Sequence, residues 1–96
     1  MSEPLSEFEV FTAEEYVRAF ELFLPRDQAI AEAERLAEGA KPQPEFPHAT
    51  MQLSPDILYL LSLVSEDCAV RAYKLAKVSA EDFTNYQSEM RNRLGL

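Results

Sequence analysis

Near its middle the chain carries a nearly continuous apolar run, interrupted by one serine, and any fold must bury it. Residues 57–64 read Ile-Leu-Tyr-Leu-Leu-Ser-Leu-Val. A run of this length is compatible with a buried strand or with a buried helix. The preceding Ser54-Pro55-Asp56, with a capping serine, a proline at the first position and an acid in the first turn, favours a helix. Because this helix is apolar on nearly all sides, it must be buried on most of them.

Two helices are predicted before this run. Thr12 and Glu15 have the spacing of a capping box, in which each side chain bonds the backbone N–H of the other residue. Pro25 breaks the first helix and allows a second one to begin at once. Gly39 is the expected stop of this second helix, because glycine adopts the left-handed conformation without strain.

The C-terminal part predicts one further helix or two. Ser65 is a possible new start, although the helices before and after it could also be continuous. Ser79 and Asp82 form the clearest start signal in the chain, and Gly95 ends the last helix. The fold class is therefore all-α, a compact bundle of four or five short helices in a single domain over residues 1–96.

Two segments are predicted to lie outside the helices. Residues 1–11 are expected to be extended or frayed. Residues 40–53 contain three prolines within six positions and are expected to form a Pro-rich loop. Either this loop is mobile, or its apolar residues Phe46, Met51 and Leu53 hold it against the core.

The charge of the chain limits its partners. The sequence contains 17 acidic and nine basic residues, and its net charge is −8. Phosphate contacts require clustered Lys and Arg, so neither direct nucleic-acid binding nor binding to an anionic membrane is expected. The sequence has no run of 18 apolar residues and does not begin with the pattern of a signal peptide, so a cytoplasmic protein is expected.

The residues that usually carry out chemistry are scarce. The chain has one histidine, His48 in the Pro-rich loop, and one cysteine, Cys68 on a small-residue helix face that favours burial. Its two glycines cannot build a phosphate-binding loop. We therefore predict that the protein is not an enzyme, and we predict no metal and no cofactor.

A protein-binding surface is the first functional hypothesis. The stretch from Pro42 to Val70 contains no lysine or arginine, and a chain of this size has little core volume with which to hide the apolar helix within it. The remainder of that helix could bind a client protein or a second copy of the chain. The predicted contact residues are Phe46, Met51, Ile57, Leu58, Leu61 and Val64.

An acidic inhibitor is the alternative hypothesis. Residues 1–48 contain 11 acidic and 4 basic residues, so most of the negative charge lies in this half. An acidic helix surface can imitate a phosphate backbone and occupy a basic or nucleic-acid-handling protein. The candidate residues are Glu14, Glu21, Glu32 and Glu34.

Three segments between Pro25 and Tyr86 resemble the tail assembly chaperones of tailed bacteriophages. Pro25-Arg-Asp27 with Ala31-Glu-Ala-Glu-Arg-Leu-Ala37 is similar to the segment before that family's variable loop. Asp56–Val64 is similar to its apolar middle helix, and Ser79-Ala-Glu-Asp82-Phe83 to its closing helix. The resemblance implies a small helical protein without catalytic activity that binds a structural client, the tape-measure protein, in the host cytoplasm.

Overall fold

The computed structural model describes residues 7–40 and 53–96, and the regular structure in these two ranges is entirely helical. A 3-10 turn, Glu7–Val10, precedes five α-helices: α1 (Ala13–Glu21), α2 (Arg26–Ala40), α3 (Pro55–Ser62), α4 (Glu66–Ala76) and α5 (Ala80–Leu94). The predicted all-α class is confirmed. None of the helices in the described ranges is long and apolar enough to cross a membrane.

The capping signals locate the helix starts as expected. The Thr12 hydroxyl accepts from the Glu15 amide at 3.2 Å, and the Glu15 carboxylate accepts from the Thr12 amide at 2.8 Å. Ser54, Ser65 and Ser79 each accept from the amide three residues ahead. Because Ser65 caps its own helix, α3 and α4 are two separate helices.

Two predicted boundaries differ from the structure. Residues 7–10 are not extended: the Tyr16 hydroxyl donates to the Phe8 carbonyl oxygen at 2.6 Å, and the two rings stack at 4.7 Å, which holds the 3-10 turn on α1. Gly39 does not end α2, which extends to Ala40. One glycine costs a helix about 1 kcal/mol, too little to stop it by itself. The rest of the predicted loop, residues 41–52, lies outside the described residues.

Helix α3 forms the centre of the core. Its five residues from Leu58 to Ser62 are all buried, and α1, α4 and α5 pack around it, while α2 packs on α1. The buried Ser62 hydroxyl donates to the Tyr59 carbonyl oxygen at 2.6 Å and lies 3.1 Å from the Gln87 amide nitrogen. The expectation that the apolar run is buried on most sides is therefore confirmed.

A partly buried ion pair between Glu15 and Arg71 joins α1 to α4. The Arg71 guanidinium donates to both carboxylate oxygens of Glu15, to Asp67 at 2.8 Å and to the Val10 carbonyl oxygen at 2.9 Å. It also lies over the Phe11 ring, 5.0 Å from the ring centre. The hydrogen bonds from Arg71 lower the pKa of Glu15 from 4.5 to about 2. This arginine therefore connects the 3-10 turn, α1 and α4.

Replacing Leu61 by alanine should lower the free energy of unfolding by about 2–5 kcal/mol, because Leu61 is 0% exposed and the lost methyl groups leave a cavity. Val70→Ala is the control, since Val70 is 49% exposed and should change the free energy by about 0.5 kcal/mol or less. Urea unfolding followed by circular dichroism measures both. Equal effects of the two substitutions would contradict the placement of α3 at the centre of the core.

The Glu15–Arg71 pair should make the free energy of unfolding depend on pH in the acidic range. Because the pKa of Glu15 is lowered in the folded state, its contribution is present above pH 4.5 and is lost as the pH falls toward 2. Glu15→Gln keeps the capping geometry but removes the charge, and should destabilise the protein by about 1–3 kcal/mol at pH 7 and flatten the acid dependence. The neighbouring Glu14→Gln, whose partner Arg18 is exposed, should cost about 0.5 kcal/mol or less. Urea unfolding at pH values from 7 to 3 would show no difference between the two variants if the pair were unimportant.

Candidate functional site

A groove of about 620 Å³ lies between α4 and α5. Both helices pack on α3 but contact each other little, which leaves room for the groove between them. Leu58 and Tyr59 of α3 contribute to the floor. We refer to this cavity as the α4–α5 groove.

The two walls of the α4–α5 groove differ in construction. One wall is the end of α4 and the turn that follows it, residues Leu75–Val78. The other wall is one face of α5, formed by Tyr86, Glu89, Met90 and Arg93. The last three of these residues lie three, four and seven positions after Tyr86, so the face spans two helical turns, about 10 Å. An apolar floor with a few polar groups around it is the usual composition of a binding site.

Some polar groups of the groove are already satisfied by the protein. Arg93 donates to the Asp56 carboxylate at 3.2 Å, and the Glu7 carboxylate accepts from the Leu53 amide at 3.0 Å. The charges of Asp56 and Arg93 therefore compensate each other, and the Glu7 carboxylate already has a protein donor.

Other polar groups of the groove have no partner among the residues that the structure describes. Within the part of the chain that the structure describes, Lys77 and Glu89 form no ion pair, and the hydroxyls of Tyr59 and Tyr86 form no protein hydrogen bond. Burial raises the pKa of Tyr59, so its hydroxyl stays protonated and can donate. The groove therefore offers a cation, an anion and two phenols to a ligand.

Lys77 has an unusual backbone conformation. It ends α4 with φ 55° and ψ 40°, in the left-handed region. The corresponding residue at the end of α5 is Gly95, with φ 74°, and glycine adopts this conformation without a steric penalty. A residue with a Cβ atom pays about 1–2 kcal/mol there. The one strained non-glycine residue in the described ranges is thus a groove residue.

The residues predicted for partner binding do not form one exposed patch. Leu58 and Leu61 are buried in the core, and Ile57 and Val64 are partly buried against it. A partner cannot reach Leu61 in this structure, since α1, α4 and α5 cover α3 better than the size of the chain suggested. Leu58 takes part only through the floor of the α4–α5 groove. Phe46 and Met51 lie outside the described residues.

The predicted acidic surface is partly neutralised. Three of its four residues pair with arginines: Glu14 with Arg18 at 3.7 Å, Glu21 with Arg26 at 2.9 Å, and Glu32 with Arg35 at 3.0 Å. The fourth, Glu34, lines a smaller cavity of about 210 Å³ between the 3-10 turn, α1 and α2. That cavity is almost entirely apolar, and its Tyr16 hydroxyl is already bonded to Phe8.

Cys68 and His48 are the candidates for catalysis or metal binding that the sequence contains. Cys68 is buried and free, with its Sγ 3.1 Å from a Glu15 carboxylate oxygen, and burial raises the pKa of its thiol. A protonated, buried thiol is a poor nucleophile. His48 lies outside the described residues. The described residues contain no group of three or more metal-ligating side chains.

Sequence reasoning missed the residues that line the groove. Tyr86 has the spacing of an ordinary apolar residue of the last helix, and Lys77 and Glu89 carry no sequence signal of their own. Only the small contact between α4 and α5, which depends on how both helices cross α3, makes these residues neighbours of one cavity.

Comparisons of the chain with protein-family models, with curated proteins and with solved structures found no match. The resemblance to tail assembly chaperones therefore stays a prediction.

Replacing Lys77 by glycine should raise the free energy of unfolding by about 0.5–1 kcal/mol, since the left-handed strain is removed and part of the gain is offset by the flexibility of glycine. Lys74→Gly is the matched control within α4, and should lower it by about 1 kcal/mol. Thermal and urea unfolding measure both changes. Destabilisation by Lys77→Gly would show that the lysine is not strained.

Proposed function

We propose that this chain is a non-catalytic protein-binding domain, and that the α4–α5 groove is where it holds its partner. The observation that carries the proposal is a groove that combines an apolar floor with four polar groups that find no protein partner among the described residues. Such groups orient a ligand, while the apolar floor supplies most of the binding free energy.

The aromatic residues of the groove support a protein as the ligand. Tyr86 is 44% exposed and lies 5.4 Å from the ring of Tyr59, which forms part of the floor. Tyrosines of this kind are frequent hot spots of protein interfaces, because they provide a large rigid contact area and a polar end. An assembly chaperone that shields a segment of a structural client is the most concrete form of this function.

Two tyrosines allow a matched test of the groove. Tyr86→Lys introduces a charge into the groove and should reduce capture of the client at least tenfold, as expected for an interface hot spot. Tyr73→Lys is the control: Tyr73 is 39% exposed and packs on one aromatic ring, Phe83, but does not line the groove. Capture by both variants and the wild type from the native source is compared by quantitative mass spectrometry, after both variants are shown to unfold at similar urea concentrations.

Only proteins captured by the wild type and by Tyr73→Lys, but lost with Tyr86→Lys, count as clients. If no captured protein depends on Tyr86, the proposal is wrong. Washing at high salt separates this function from that of an acidic inhibitor. An apolar contact in the groove should survive the wash, whereas binding through Glu14, Glu21, Glu32 or Glu34 should be lost with rising ionic strength.

A further inference from the structure

We infer that the α4–α5 groove receives a short amphipathic α-helix of the partner, with an acidic side chain facing Lys77 and a basic side chain facing Glu89. This inference rests on the proposed function and adds the conformation and charge pattern of the bound segment.

The surroundings of the groove favour a helix over an extended peptide. The floor and the walls are formed mainly by α3, α4 and α5, whose backbone groups bond within their own helices. The described ranges contain no strand, so they offer no sheet edge to which a peptide could add. An extended segment would leave its amide and carbonyl groups unpaired against the apolar floor, whereas a helix satisfies them internally.

The length of the α5 wall matches such a helix. Tyr86, Glu89, Met90 and Arg93 present one face over two turns. A partner helix of about three to four turns, with apolar residues at positions i, i+3 or i+4, and i+7, would cover this face and reach the floor.

The charged groove residues that form no ion pair among the described residues determine which charges the partner should carry. Asp56 and Arg93 already pair with each other, and Glu7 is bonded to the Leu53 amide, so Lys77 and Glu89 remain. Lys77 precedes the cap of α5 by two residues, and Glu89 lies ten residues after that cap, about 15 Å along the helix. An acid and a base roughly that far apart on one helix complement both. The net charge of −8 disfavours a second copy of the chain as the occupant.

A peptide selection tests the inference directly. A phage-displayed library of random peptides about four helical turns long is selected on the full chain, with counter-selection on Tyr86→Lys so that only groove binders remain. We expect peptides with the i, i+3/i+4, i+7 apolar pattern and one acid and one base, which become helical on binding by circular dichroism. Lys77→Glu should weaken their binding about three- to tenfold, and changing the peptide's acid to lysine should restore it. Lys74→Glu, outside the groove, should have no effect.

Each other outcome overturns the inference. Groove-dependent peptides that are rich in proline or stay non-helical would show that the groove binds extended chain, while the proposed function would stand. Helical peptides without the charge rescue would remove the roles of Lys77 and Glu89. A doubling of mass in sedimentation that Tyr86→Lys abolishes would identify a second copy as the occupant. If no peptide depends on Tyr86, the inference of a bound helix is wrong. The comparison of Tyr86→Lys with Tyr73→Lys in the client capture then tests the proposed function separately.

Discussion

Covering α3 is the constraint on which the other helices depend. Helix α3 is eight residues long and carries apolar side chains on nearly every side from Ile57 to Leu61, and a helix this short is not stable alone in water. It must therefore be surrounded, and α1, α4 and α5 each bury one part of it. The N-terminal half takes part mainly through α1, while α2 packs chiefly on α1. The Arg71 guanidinium then joins this outer layer, since it bonds Glu15 of α1 and the Val10 carbonyl of the 3-10 turn from its position on α4.

The same constraint explains why a groove exists. Three helices around one short helix must each cross it at an angle that suits their own side chains, and neighbouring helices cannot all be in full contact. Here α4 and α5 separate, so Leu58 and Tyr59 of α3 remain accessible between them although both are largely buried. The site is thus a gap in the outer layer of the core. A partner helix inserted there would complete the covering of α3 and would bury apolar surface that is now in contact with water.

The helix boundaries were predictable where short-range chemistry decides them. Serine caps, the Thr12–Glu15 box and Pro25 act over three or four residues, and each has its expected effect. The predicted stop at Gly39 was wrong because a single glycine does not end a helix. The 3-10 turn was not predicted because it depends on a tertiary contact, the stacking of Phe8 on Tyr16. The groove depends on helix crossing angles, which no local pattern contains. This is why the sequence could not show that Leu61 lies in the core or that Tyr86 lines the groove.

Lys77 links the stability of the fold to the proposed site. Helix α5 ends at a glycine in the left-handed conformation, as sterics prefer, but α4 ends in the same conformation at a lysine. A glycine would remove the strain, whereas the positive charge of a lysine at the C-terminus of α4 is favoured by the helix dipole and offsets part of it. Strained residues often lie at functional sites, where the surrounding structure maintains them. Lys77 lines the α4–α5 groove and has no carboxylate partner among the described residues, so in the proposed complex the same charge that caps α4 would also face the bound segment.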